Sequence, residues 1–285
     1  MSRFSNEITE GIVIDYAGVD PDVTGFIGAR LFPFETMAVE TGTIRYVPNI
    51  TEGTAVTTRA DGAEPTRTSL ASGTYSYTAG DVSDGFLMSE EEILNIGGYS
   101  NAEQFGLESA YVSVYAKHEA LVKAEVWACG VAASGSTVDA QIQNAMYKTR
   151  DVRGEYALIL GQSARTALFA DASMLARLTG VQAAIPEAGQ AAEISLLKAV
   201  YGFEVVLVGD DTYWTDADNA AVVKLPSKDR MSYKRRAETG KTFIFGDEKP
   251  ELRIIDKPYS VAFDGVTKMD IATLNSAGMC LVDLT

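Results

Sequence analysis

One helical pattern constrains the fold of this 285-residue chain more than any other feature, and it runs unbroken over residues 101–130. Asn101 stands where a cap belongs, and Gly130 follows the last apolar residues. Phe105, Val112, Tyr115, Val122, Val126 and Cys129 line one stripe, and Leu107, Tyr111, Val114, Leu121 and Ala128 line an adjacent one. Glu103, Glu108, Lys117, Glu119 and Lys123 are left for water, with Glu119 and Lys123 spaced and oriented for an i,i+4 pair. A helix of about 28 residues is roughly 42 Å long, enough to act as a spine against which other elements pack.

The rest of the chain supplies those elements. After a Gly/Ser break at 130–136 the pattern alternates: helix at 137–149, strand EYALILG at 155–161, one helix or two short ones at 163–179, helix at 190–201, strand FEVVLVG at 203–209. From residue 220 onward the runs AVVKL, KTFIFG, ELRIID, YSVAF and GMCLVDL read as strands. Upstream of the spine, TGTIRYVPNI and GTYSYTAGDV alternate at period two, with Tyr75 and Tyr77 on one face. Between them lies a polar stretch broken by Gly and Pro, which predicts a long antiparallel hairpin with a mobile tip. Residues 1–40 carry short apolar patches, IVIDYAGV and FIGARLFPF, and read as an extended arm that packs on something else.

Composition narrows the function. A hydrophobic share of 46% suffices for a substantial core and excludes a disordered chain. The formal charge of −15 excludes a protein that grips nucleic acid through its net charge, because phosphates repel an acidic surface. Residues 1–116 hold 5 basic and 17 acidic residues, a net of −12, whereas residues 117–285 hold 19 and 22, a net of −3. Cys129 and Cys280 are too few for a disulfide framework and read as buried thiols in a reducing compartment. The start MSRFSNEITE has no apolar signal core, and no apolar run approaches the roughly 18 residues of a spanning helix. The expectation is a soluble protein made in the cytoplasm, with no membrane partner.

A search for catalytic chemistry is mostly negative, and no enzyme, metal or cofactor is expected. His118 is the only histidine and lies inside the spine, a place for a structural role. One His and two distant Cys do not make a zinc site. Thr239-Gly240-Lys241-Thr242 ends like a phosphate loop, but Arg235 stands where its first Gly belongs, so the segment reads as a turn into KTFIFG. The acidic loop Asp210–Asn219 lacks the Gly and Glu that a calcium loop of the EF-hand type needs, and reads as solvated. Glu90-Glu91-Glu92 reads as a solvated turn or helix start. The basic run Lys228–Arg236 stands out in an acidic chain; balancing of local acid, a neighbouring subunit and nucleic acid are its three readings.

The order of parts resembles the major capsid proteins of tailed bacteriophages, with the Johnson (Hong Kong 97-like) fold. LILGQSARTALFADASMLARL is similar to the family's axial-domain strand and following helix, and ISLLKAVYGFEVVLVGDD to its second helix and Gly-preceded strand. AGMCLVDLT looks like the C-terminal strand that rejoins the peripheral domain. The resemblance implies an α+β chain divided into an N-terminal arm (1–35), an extended β-hairpin loop (36–89), a peripheral-domain spine helix (90–135), an α/β axial domain (136–240) and return strands of the peripheral domain (241–285). It implies hexamers and pentamers that close into an icosahedral shell around double-stranded DNA, in a virion assembled in the host cytoplasm.

A portal is implied, with a separate scaffolding protein or none, because no long pre-domain precedes the arm, and a decoration protein is a further possible partner. Some members cross-link subunits through a Lys of the extended loop; the first lysine here is Lys117, so that cross-link cannot form. Arg59 and Arg67, in the hairpin tip, are expected to touch acidic groups of a neighbouring subunit. Lys234, Arg235 and Arg236 are expected near a subunit boundary. An encapsulin-type nanocompartment shell keeps the fold and changes the cargo; a carboxylate-dependent α+β enzyme is the reading from a different class.

Overall fold

The structure, a computed structural model, describes residues 26–46, 73–152, 154–182, 190–214, 216, 218–225, 239–246 and 250–285. In chain order its first elements are α1 (Gly28–Leu31), β1 (Phe34–Met37), β2 (Thr41–Tyr46), β3 (Gly73–Thr78), β4 (Gly80–Ser89), α2 (Glu90–Asn95) and the spine α3 (Tyr99–Trp127). Next come α4 (Val138–Thr149), β5 (Glu155–Gly161), α5 (Gln162–Ala170), α6 (Ala172–Gln182), α7 (Gln190–Tyr201), β6 (Val205–Gly209) and β7 (Asn219–Leu225). The chain closes with β8 (Gly240–Phe245), β9 (Glu251–Lys257), β10 (Ser260–Thr273) and β11 (Met279–Asp283). This is the expected α+β chain.

The strands divide between two sheets according to how they are covered. In the axial sheet, ordered β11-β7-β5-β6, near-continuous apolar runs alternate between two cores. Leu158, Leu160, Val206, Val222 and Val282 face helices α4–α7, while Ala157, Ile159, Leu207, Val223 and Met279 face the end of the spine and α1. The peripheral sheet has the order β1-β8-β10-β4, and β9 pairs with the first half of β10 on the same edge as β8, opposite β4. There β1 is parallel to β8, and the other pairs are antiparallel. The first half of the spine covers one face of this sheet. Gly106 allows the close approach: a Cβ there would lie 2.3 Å from the Phe263 ring.

The two-stranded sheet β2-β3 is the expected hairpin stem, running antiparallel from Thr41↔Thr78 to Tyr46↔Gly73. Tyr75 and Tyr77 do share a face, both packing on Phe243. The tip between the strands lies outside the described residues. Residues 163–179 hold two helices, separated at Asp171, whose carboxylate accepts from the amides of Ser173 and Met174. Glu90–Glu92 open α2 through a capping box, with Ser89 Oγ accepting from the Glu92 amide and Glu92 accepting from the Ser89 amide at 2.7 Å.

Five expectations need correction here, the first being that Glu103, assigned to water, is buried at 1% exposure. The spine begins at Tyr99, so Asn101 lies in its first turn and donates to the Ile96 carbonyl instead of capping the helix. The arm is not extended throughout: Phe26–Phe32 includes the helical turn α1, with Ile27, Leu31 and Phe32 buried in the chain's own core. The C-terminal strand β11 pairs with β7 in the axial sheet, because Cys280 and Val282 fit the helix-covered core and Met279 the opposite one. Cys129 is only partly buried, unlike Cys280.

Candidate assembly site at the arm root

Glu119, assigned to water by its charge, is buried at 1% exposure. It sits inside the apolar stripe itself, one turn after Tyr115 and just before Val122, and a charge within a stripe was the signal available in the sequence. Its carboxylate accepts from the amides of Ile27 at 2.8 Å and Gly28 at 2.7 Å, and from Trp214 Nε1 at 2.6 Å. Burial pushes its carboxyl up, against these three bonds that pull it down, and the net shift is upward. Gly28 is required here, since a Cβ would stand 2.6 Å from Glu119 Oε2 and 3.3 Å from the His118 ring.

His118 holds the other side of the same turn. Its Nε2 lies 2.9 Å from Thr242 Oγ1, and the Thr242 hydroxyl donates to the Phe32 carbonyl. His118 Nε2 is therefore the donor, which puts the ring proton there and leaves Nδ1 beside Gly28. Burial drives its pKa down to about 4, so the ring is neutral at pH 7. Lys241, next to Thr242, pairs with Glu35 of β1 at 2.7 Å. Spine, arm root and β8 thus form one polar junction inside an apolar core.

The loop Asp210–Asn219 closes the junction from the axial side. Trp214 is fully buried and packs edge-on against Trp127, with ring centroids 5.3 Å apart. Asp211 accepts from the Ser163 amide at 2.9 Å, and Asp216 accepts from Trp127 Nε1 at 2.8 Å and Asn219 Nδ2 at 3.0 Å. Burial pushes the Asp216 carboxyl up, but the bonds from Asn219 and Trp127 outweigh it and hold it below the usual range. The carboxylates of Asp210, Asp211 and Asp216 are committed to protein donors, while Asp218 is exposed. Among the described residues no group of three His, Cys, Asp or Glu could hold a metal ion.

Thr239–Thr242 enters β8 as a buried strand start, as expected. A small cleft borders His118, and among its described lining residues, which include Phe34, Tyr115 and Met269, there is no carboxylate. Arg59, Arg67, Lys234, Arg235 and Arg236 lie outside the described residues. Among the described residues no helix is long and apolar enough to cross a membrane.

The junction holds the turn Phe26–Phe32 at the meeting point of both sheets and the spine.

No protein-family model matches the chain, and no curated protein matches it. Solved structures do. A chain of Gordonia phage Cozz is similar at 10% identity and a TM-score of 0.59, over 90% of this chain and 86% of that one. A virus-like particle protein from Pyrococcus furiosus is similar at 11% identity and a TM-score of 0.56, over 95% and 96%. The capsid of an empty GTA particle is similar at 10% identity and a TM-score of 0.54, over 91% and 89%. The chain has the Hong Kong 97-like fold.

Proposed function

We propose that the chain is a structural shell subunit: the major capsid protein of a tailed phage, forming hexamers and pentamers that close around double-stranded DNA. One observation carries this reading, namely that the likeness to phage and capsid chains extends over nearly the whole of both partners. The arm root supports it. A buried network of Glu119, His118 and Trp214 spent on holding one helical turn suits a chain whose preceding residues must leave in a set direction. So does the hairpin, since an isolated two-stranded ribbon is marginal in water and gains from a partner surface.

In this reading residues 1–35 are the arm and 36–89 the extended loop. Residues 90–135 are the spine of the peripheral domain, 136–240 the axial domain, and 241–285 peripheral except for β11. Arg59 and Arg67 contact acidic groups of a neighbouring copy, and Lys234, Arg235 and Arg236 approach a subunit boundary opposite the acidic first 116 residues. The role is structural and not catalytic. A scaffolding protein, a portal and a decoration protein are the further partners. The likeness to a virus-like particle protein favours one second reading, an encapsulin-type compartment shell.

Electron microscopy of the purified protein, alone and coexpressed with its genomic neighbours, tests the proposal. Capsomers, shells or tubes are expected, and nuclease-protected DNA distinguishes a phage head from a compartment loaded with an enzyme. A protein that stays monomeric under every condition would overturn both.

A further inference from the structure

The strand β4 ends its path in the peripheral sheet: β10 takes one side of it, and among the described residues no strand takes the other. An edge of this kind presents unpaired backbone groups, a template on which a strand of another chain can pair. β4 is long for an edge, with ten residues, and Phe86 and Leu87 are exposed along it. Neither a bulge nor a Pro interrupts it, since its register with β10 runs unbroken from Gly80↔Met269 to Ser89↔Ser260.

In an antiparallel ladder every second residue of an edge strand turns both its N–H and its C=O away from the sheet. Side-chain bonds mark which residues these are in β4. The Ser83 carbonyl accepts from Lys117 Nζ at 2.5 Å, the Gly85 amide donates to Asp84 Oδ1 at 3.0 Å, and the Ser89 amide donates to Glu92 Oε2 at 2.7 Å. All three share one parity, so the outward row is Ser83, Gly85, Leu87 and Ser89, and three of its four members carry a side-chain partner. Lys117 reaches this edge from the spine, and its Nζ also lies 3.6 Å from Asp84 Oδ1. The two side chains thus close over the edge together. They are 47% and 40% exposed, so their ion pair adds little to the stability of the fold. What they occupy is the acceptor and the donor that an added strand would use.

We infer that Lys117, Asp84 and Glu92 form an autoinhibitory guard, which keeps the edge of β4 from pairing with a strand of a second copy of the chain. A second copy is the competitor that matters, because strand addition is carried by backbone groups and identical chains are made side by side. An incoming strand would have to displace Lys117 and strip water from its ammonium group. Charged side chains, Lys above all, blunt edges in this way. The guard acts whether or not the chain builds a shell, and so goes beyond the shell reading.

Thioflavin T fluorescence, sedimentation velocity and thermal melting of wild type, Lys117→Met, Lys117→Arg and Asp84→Ala provide the test. Lys117→Met keeps the stem and loses the donor, so its melting temperature should stay within about 2 °C of wild type while dye-binding oligomers rise at least tenfold. Asp84→Ala frees the Gly85 amide and should also raise them, whereas Lys117→Arg restores a donor and should match wild type within twofold. Ser83→Pro, added to Lys117→Met, removes an outward N–H and should return the oligomers to the wild-type level, a rescue that a merely structural role of Lys117 would not give. Dye-binding oligomers within twofold of wild type in both Lys117→Met and Asp84→Ala overturn the guard. So does a rise that follows a fall in melting temperature across the variants, or one that Ser83→Pro leaves in place, because unfolding or another edge then explains it. Electron microscopy of the wild type decides the shell reading separately.

Discussion

The two sheets solve the same problem in opposite ways. The axial sheet is sealed: in β5, Leu158 and Leu160 face α4–α7, Ala157 and Ile159 face the spine's end and α1, and all four are buried. The peripheral sheet is covered on one face, and at its tip Leu87 and Ile255 remain in water. A sheet sealed on both faces stabilises a single subunit. A sheet left open at one end stores apolar area for something outside the subunit. Both are built from β-prone runs, so coverage and not composition separates the sealed sheet from the open one.

The largest expected effect lies in the sealed sheet. Ile159 is fully buried against the spine side. Ile159→Ala should cost about 4 kcal/mol, the transfer loss plus the cavity left behind. Chemical denaturation of the isolated subunit measures it. A loss below about 1 kcal/mol would show that the axial core collapses onto the gap, and would break the contrast between the two sheets.

The next effect belongs to the junction that ties the sheets together. His118 has a folded pKa of about 4 against an ordinary 6.5, because burial disfavours its charge. Its contribution is whole above pH 6.5 and is lost as pH falls through 4; a gap of about 2.5 pH units corresponds to about 3 kcal/mol. Glu119 acts in the opposite sense. Its raised pKa means that ionisation works against folding, so acidification returns part of the loss. Among the other charged groups nearby, Lys241 is paired with Glu35. Stability should therefore fall between pH 6.5 and 4, and His118→Gln should flatten that fall. Urea midpoints at pH 7, 5.5 and 4 provide the measurement, and an equal slope in the variant would place the acid sensitivity elsewhere.

How much of this the sequence carried depends on the range of each interaction. EYALILG, AVVKL and the Tyr75/Tyr77 alternation are local patterns, and they form the strands they suggest. The spine is local too, although its start shifts two residues to Tyr99 because Gly98 lies outside the helix as its cap. Glu119 was misread because its role is set by partners 91, 92 and 95 positions away, while the nearby Lys123 suggested a surface pair. The placement of β11 was misread for a similar reason: MCLVD alternates correctly for either sheet, and only the covering helices choose. The strand β10 runs 14 residues, past YSVAF and through GVTKMDIAT, where polar residues hide it from a hydrophobicity reading.

The smallest expected effect sharpens the contrast most. Leu87 is 57% exposed on the open face, so Leu87→Ser removes little buried area from the subunit and should change its stability by no more than about 0.5 kcal/mol. The matching change in the sealed sheet, Val222→Ser, removes buried methyls and leaves a hydroxyl without water, at a cost of several kcal/mol. Denaturation midpoints of the two variants, read side by side, separate an apolar residue held for folding from one left in water. A Leu87→Ser subunit as destabilised as the Val222→Ser one would mean that the open face is already closed within a single chain.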